Sequence, residues 1–580
     1  MGRRRQVRML AAALVAALAG VAVTPPGARA HDGPAVDVRP VTFDVVDGPN
    51  DDQHVRIDAS LYVPSTATDA TPAPVVVLAH GFGGSKDDLD ALARQTAHRG
   101  FVALAYSARG FGRSTGTIGL ASVDYDVKDV VQMIDALADM PEVLLDGPGD
   151  PRVGISGRSY GGGVALMAAT ADPRIDAIAP RITWASLAYA LGPNNLLADD
   201  SGLELAGDEG PAGIYKLQWA TVFFGVGASQ PATDATGIVG GPDCLGFVRE
   251  VCRAYLASAA AGELTDESVA LLERSSPLGR LDGVDVPTFL VQGEDDTLFN
   301  LAESVRTTQA LRSNGAPVKL LWHSGGHSGS LAPGEAEERL EPDDVVNARI
   351  LNWWERWLGD DPAVDTGPGF EYALEDSEGR VRYGAAPAYP ALGDSVRFLS
   401  GDGRIVDDPT DADRGTSRFA NPLAGLPAAY SETSGLQEHL DLPAFDLPGQ
   451  HLRWETPAFP DDTALVGVPR LGGLELSSST GETWFFAKLY DVAPDGRGEL
   501  IRRQVSAVRS DDLSRPLDVA LPGLAHVVEA GHRLRLVLAS TDVAYANRRT
   551  PDTYTVTIDP SAPPRLLLPM APASGTGSPR

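Results

Sequence analysis

Two pentapeptides in this 580-residue chain share the pattern Gly-Arg-Ser-x-Gly: Gly112-Arg-Ser-Thr-Gly116 and Gly157-Arg-Ser-Tyr-Gly161. A serine hydroxyl becomes a nucleophile only when a base takes its proton and nearby donors receive the oxyanion that forms. A tight strand-to-helix turn meets the second need, because it lifts the hydroxyl out of the sheet beside helix N-terminal N–H groups. Context separates the two copies. Val153 to Ser156 reads as a short buried strand, and Val164-Ala-Leu-Met-Ala-Ala169 reads as the helix that follows. Ser114 sits in a polar, glycine-rich loop with neither. Ser159 is the candidate nucleophile.

The base and its orienting acid must come from elsewhere in the chain. In the nucleophile-elbow pattern of α/β-hydrolases the order is Ser, Asp, His, each beyond the end of a strand. The acid should follow the apolar run Val286 to Val291, where Glu294, Asp295 and Asp296 all qualify by position. Asp296 is preferred, since a short carboxylate there has room to swing back over the sheet, and Asp295 is the fallback. The base should follow the run Val318 to Trp322, where His323 and His327 lie. His327, in a Gly-Gly-His-Ser-Gly loop, can reach the elbow; His323 abuts the strand and reads as structural. The oxyanion donors expected are the backbone N–H groups of Tyr160 and Phe82, the latter beyond His80-Gly81. His80 and Arg109 read as braces of their loops.

These residues need a scaffold. Val41 to Val46 and Val55 to Val63 alternate as antiparallel edge strands. Val75 to Ala79, Phe101 to Tyr106, Val153 to Ser156 and Ile175 to Ile182 are apolar strands separated by helical patterns at Lys86 to His98 and Val123 to Met140. That alternation predicts an α/β fold with a mostly parallel sheet covered on both faces. Residues 31–183 and 282–360 form the expected catalytic domain, Val318 to Trp322 being its last strand and Val345 to Leu358 its closing helix, with Trp353, Trp354 and Trp357 in the core. Between them, residues 184–281 show helical spacing and read as a cap. The cap's Asp199, Asp200, Glu204, Asp208 and Glu209 read as a solvated loop. Residues 361–570 carry short alternating runs such as Val396 to Leu399, Thr483 to Tyr490, Leu500 to Val508 and Arg533 to Leu538, which predict an all-β sandwich or jelly roll. Residues 571–580 read as a disordered tail.

Composition bounds the partners. With 48 Lys and Arg against 78 Asp and Glu, the net charge of −30 disfavours nucleic acid and anionic membrane surfaces. Residues 1–30, with Arg3-Arg-Arg5, an apolar run and Ala28-Arg-Ala30, read as a signal peptide, so the mature protein is expected to be secreted. Cys244 and Cys252 are then expected to form a local disulfide. No metal-ligand motif or phosphate-binding loop is found, and no cofactor is expected. The alternative to an enzyme is a secreted binding protein that grips carbohydrate or cell wall through its β-domain.

Taken together, the elbow, Gln292-Gly-x-x-Asp296-x-Leu-Phe299, Gly326-His327, Arg109-Gly-x-Gly-x-Ser-x-Gly116, Leu489-Tyr-Asp-Val-Ala-Pro-Asp-Gly496 and Gly531-His-Arg-Leu-Arg535 resemble the X-Pro dipeptidyl-peptidase / cocaine-esterase family of serine hydrolases. The resemblance spans nearly all of the chain after residue 30. It implies an acyl-enzyme mechanism on esters, amides or N-terminal X-Pro peptides: a dipeptidyl-peptidase-like activity or, as the alternative, a carboxylesterase or amidase of the cocaine-esterase type without peptidase activity. One departure stands out: that family supplies a tyrosine hydroxyl to the oxyanion hole where this chain has Phe82, which offers only its backbone N–H.

Overall fold

The computed structural model describes residues 33–571, apart from 206–212, most of 231–245, 330–344, 376–378, 422–425, 428 and 432–443. The expected signal peptide, the tail from residue 572, and Asp208 and Glu209 lie outside the described residues.

Ten strands form the main sheet: β1 (Val36–Asp47), β2 (Gln53–Pro64), β3 (Val75–Ala79), β4 (Val102–Tyr106), β5 (Val153–Arg158), β6 (Ile175–Arg181), β7 (Thr288–Gly293), β8 (Val318–His323), β9 (Phe370–Glu375) and β10 (Val381–Ala386). Their spatial order is β1-β2-β4-β3-β5-β6-β7-β8-β9-β10. The strands from β4 through β9 pair in parallel, with β1–β2 and β10 antiparallel at the two edges. Five consecutive buried positions in β3 and in β4 are the signature of strands covered on both faces. The covering helices are α1 (Asp90–His98), α2 (Asp126–Ala138), α3 (Tyr160–Ala169), α7 (Leu301–Ser313) and α8 (Val345–Trp357). Every residue of α3 is buried, so this helix carries no polar face and is held as an apolar rod against the sheet. Trp353 and Trp354 of α8 are buried against it on the other side.

The sheet does not end where the sequence suggested. β9 pairs in parallel with β8, and β10 closes on β9 as a hairpin, so residues 370–386 belong to the catalytic sheet rather than to the β-domain expected from residue 361. Phe370 to Leu374 are buried at five consecutive positions, as in a covered inner strand, while Val381–Ala386 forms the part-exposed edge.

The cap contains α4 (Leu217–Ala228), α5 (Arg249–Ala261) and α6 (Asp266–Glu273). Thr265 caps α6 by accepting from Ser268 N–H, and Gly262 ends α5 in a left-handed turn. Cys244 and Cys252 are disulfide-bonded, with Cα atoms 5.6 Å apart. Asp200 departs from the expected solvated loop: it is buried against the β-domain and pairs with Arg565 at 2.5 Å.

The C-terminal domain packs two sheets around one core, which includes Leu399, Phe419 and Leu471 from one sheet and Phe485, Leu489 and Leu536 from the other. The expected strand Leu500 to Val508 is interrupted. Strands Gly498–Leu500 and Ser506–Ser510 flank a turn in which Arg502 and Arg503 both adopt left-handed backbone, φ 49° and 54°. Ala571 N–H donates to Ala464 O at 3.0 Å, so the first residue of the segment expected to be tail belongs to the fold.

Candidate active site

Ser159 stands between β5 and α3 with φ 55° and ψ −113°. A non-glycine residue held there costs about 1–3 kcal/mol and persists only when its surroundings over-determine it. They do. Ser159 N–H donates to Arg181 O at 2.8 Å, while Ser159 O accepts from Gly163 N–H and from Thr183 Oγ1, each at 3.0 Å. The flanking glycines are required by close approach. A Cβ on Gly161 would lie 2.2 Å from Ala79 O, and one on Gly157 would lie 2.4 Å from the Gly161 carbonyl carbon.

Asp296 and His327 arrive from the ends of β7 and β8. Ser159 Oγ lies 2.8 Å from His327 Nε2, and His327 Nδ1 lies 2.6 Å from Asp296 Oδ2. The carboxylate accepts only, so Nδ1 donates to it, and Nε2 is left to accept the Ser159 proton. The other oxygen, Oδ1, accepts from Leu298 N–H at 3.0 Å and Phe299 N–H at 2.7 Å, which pins the fully buried carboxylate. The two loops are laced together. Glu294 N–H donates to His323 O, Asp295 N–H to Gly325 O and Ser328 N–H to Asp295 O, at 2.8–3.0 Å. Thr297 Oγ1 and Ser328 Oγ are 2.6 Å apart. Phe299 and Trp219 stand edge-on to the His327 ring, centroids 5.2 and 6.2 Å away. This geometry can shuttle a proton from hydroxyl to imidazole while the carboxylate stabilises imidazolium.

The remaining sequence expectations sort cleanly. Asp295 does not reach His327. His323 is buried and its Nδ1 accepts from Gly325 N–H at 3.2 Å. Ser114 is a staple: Oγ donates to Ser107 O at 2.6 Å and accepts from Asp58 N–H at 2.8 Å. Arg109 is fully buried, paired with Asp47 and stacked 4.8 Å from the Tyr125 ring centroid.

His80 acts on the loop that carries Phe82. Its Nε2 accepts from Ala108 N–H at 2.9 Å, so its Nδ1 donates to Gly81 O at 2.7 Å. Burial lowers its pKa, consistent with this neutral form. Gly81 C=O and Phe82 N–H belong to one trans peptide unit, so holding the carbonyl toward His80 turns the Phe82 N–H the opposite way. Gly81 borders the elbow, where an added Cβ would be 3.9 Å from Ser159 Cβ. The Phe82 ring packs against Tyr160, Phe111, Phe223 and Phe247. Beyond it, a cavity of about 80 Å³ opens between the core and α4–α6, walled by Phe82, Phe223, Phe224, Phe247, Val251 and Leu271 among others.

Sequence reasoning missed four contributors. Asp126 accepts from Tyr160 Oη at 2.8 Å beneath the elbow. Trp219 comes from the cap, and Arg502 and Gln504 from the β-domain, to back the acid and histidine loops. Phe299, by contrast, lies inside the acid turn, where the sequence already marked it.

The sequence profile of the X-Pro dipeptidyl-peptidase (S15 family) matches residues 51–329, and that of the X-Pro dipeptidyl-peptidase C-terminal non-catalytic domain matches 363–568. The chain belongs to the X-Pro dipeptidyl-peptidase S15 family. Solved structures share this family architecture from end to end. An aminopeptidase from a marine sediment Thaumarchaeota archaeon superposes with a TM-score of 0.62 at 15% identity, covering 95% of this chain and 99% of its own. An α-amino acid ester hydrolase gives 0.62 at 17%, covering 94% and 98%. A CocE/NonD family hydrolase of Staphylococcus aureus gives 0.61 at 12%, covering 92% and 94%. At these identities the likeness is one of fold. Among curated sequences, uncharacterized protein PA2218 of Pseudomonas aeruginosa is 32% identical over 126 residues, 21% of this chain and 32% of that protein. The quorum-quenching protein AidA of Acinetobacter baumannii is 32% identical over 131 residues, 22% of this chain and 40% of its own. The chain thus spans about a third of the length of the curated relatives it matches.

Proposed function

We propose that this S15-family chain is an exported serine hydrolase that cleaves ester, amide or short peptide bonds through an acyl-enzyme. The observation that carries the reading is the unbroken hydrogen-bonded chain Ser159–His327–Asp296 at 2.8 and 2.6 Å. Ser159 Oγ attacks the acyl carbon as His327 Nε2 takes its proton. The N–H groups of Tyr160 and Phe82 receive the oxyanion. His327 then returns the proton to the departing alcohol or amine, the carbon–leaving-group bond breaks, and water repeats the sequence to release the acid. The basic, apolar N-terminal stretch supports export.

Substrate choice follows from the cavity beyond Phe82. Its sixteen lining residues include no charged side chain. A neutral apolar acyl group gains from burial there, whereas a substrate ammonium would lose its hydration without a carboxylate to replace it. This favours esters and amides of apolar acids over X-Pro peptides with a free N-terminus. The test compares kcat/KM on a p-nitrophenyl ester of an apolar acid and on an X-Pro p-nitroanilide, with fluorophosphonate labelling and Ser159→Ala as control. Ester turnover well above anilide turnover is expected. The reverse ratio makes the protein a dipeptidyl-peptidase, and absence of Ser159-dependent labelling overturns the enzyme reading in favour of a binding protein.

A further inference from the structure

The sequence places three carboxylates in a row, Glu294-Asp-Asp296, at the buried end of β7, and the last of them holds His327. Like charges this close raise one another's proton affinity, and the acid that stabilises imidazolium must stay ionised. Compensation comes from the other domain. Arg502 Nη2 lies 3.3 Å from Glu294 Oε2, and Nη1 lies 2.7 Å from Glu375 Oε2 of β9. Gln504 Nε2 donates to Glu294 O at 3.2 Å. The turn that delivers these groups is strained: Arg502 and Arg503 are consecutive left-handed residues, at φ 49° and 54°, where glycine would sit without cost. Strain retained with arginine rather than relieved with glycine points to a role for the side chain.

We infer that Arg502 is a positioning residue, through which the β-domain neutralises and orients the acidic run so that Asp296 keeps its ionised place on His327. The inference rests on the functional reading above. The charged groups facing the run are Glu375 on β9, Arg502 and Arg503 on the turn, His323 and His327 on the loop after β8, and Lys216, whose Nζ donates to Thr297 O and Leu298 O ahead of α4. Asp295 shows the balance at work. Burial pushes its pKa up to about 6, against the pull of Arg502 and Arg503, and its buried Oδ1 has no hydrogen-bond partner among the described residues.

Arg502→Gly separates charge from architecture, because glycine suits the turn and only the cation is lost. In the full-length enzyme, its loss is expected to move the acid limb of the kcat/KM profile upward by about half to one pH unit, since the added negative potential favours the inactive imidazolium over the free base. At pH 6 kcat should fall about three- to tenfold, with KM little changed. Arg502→Lys should return the limb to its original position, and so should Glu294→Gln placed in the Arg502→Gly background. An unshifted limb in Arg502→Gly, or a shift that neither restoring change reverses, overturns the inference. Ser159→Ala assayed alongside distinguishes the two levels. If it stays active the functional reading falls, and if it is inactive while Arg502→Gly matches the parent only the role of Arg502 falls.

Discussion

Two turns with the same Gly-Arg-Ser-x-Gly sequence do opposite work in this molecule. Around Ser114 the left-handed backbone falls on the glycines, Gly112 at φ 57° and Gly116 at φ 88°, and the serine is relaxed. Its hydroxyl is consumed by a backbone carbonyl and a backbone N–H. Around Ser159 the left-handed backbone falls on the serine itself, the glycines are needed for close approach, and the hydroxyl is presented to a histidine. The pentapeptide does not decide which occurs. The buried strand before it and the apolar helix after it do, because only they force a reversal so tight that the central residue takes the strain. Where that strain sits separates a staple from a nucleophile.

Exchanging the serines for alanine should give mirror-image results. Ser159→Ala should lower kcat/KM by about 10⁴–10⁶ and leave Tm nearly unchanged, since only one hydrogen bond at a partly open site is lost. Ser114→Ala should leave kcat/KM of the folded protein unchanged but cost about 1–3 kcal/mol, because a buried N–H and C=O lose their partner. Calorimetry with esterase assays reads both; activity lost in Ser114→Ala without a fall in Tm would contradict the division.

A smaller effect is expected at the glycines. Gly161→Ala places a methyl 2.2 Å from the rigid carbonyl of β3, and Gly112→Ala places one 2.7 Å from the Ser107 hydroxyl, a rotatable group. Both strain the chain by about 1–3 kcal/mol, but only Gly161→Ala should also abolish fluorophosphonate labelling, because it displaces the Tyr160 N–H. Equal labelling by the two variants would erase the distinction between the turns.

A further effect, confined to stability, is a pH dependence beneath the second turn. Asp126, beneath Tyr160, is raised by burial to about 6 from 3.8, and Arg109 and the Tyr160 hydroxyl oppose the rise. A carboxyl raised on folding stabilises the fold fully below its unfolded value and loses that contribution as pH rises through the folded one. Stability should therefore decline between about pH 4 and 6 by up to about 3 kcal/mol relative to Asp126→Asn, which keeps an acceptor for Tyr160. Urea titrations of both proteins across that window check the sign; a rising difference refutes it.

Much of this was legible beforehand because it depends on neighbours in sequence. Apolar runs marked the strands that carry Ser159, Asp296 and His327, and the glycines of Gly326-His327 announced a loop able to reach back. Asp296 could be ranked above Asp295 from turn length, yet the assignment needed the structure, which gives Asp295 to the Arg502 side and Asp296 to His327. The hairpin at 370–386 and the broken strand at Leu500 were misread for one reason. An apolar or alternating pattern says that a segment can be buried in a sheet, not which sheet buries it or where a turn interrupts it.

What the sequence determined alone is local: the order of strands and helices, the elbow at Ser159, the acid-rich turn, the histidine loop and the cysteine pair. Those follow from backbone sterics and from burial over a few residues. What only the tertiary structure decided is everything that acts between parts far apart in the chain. The neutral His80 sets the Phe82 peptide, the cap brings Trp219 beside His327, and a strained arginine of the β-domain faces the acids behind the site. Those contacts depend on how whole elements pack, and charges and rings only acquire partners once packing has placed them.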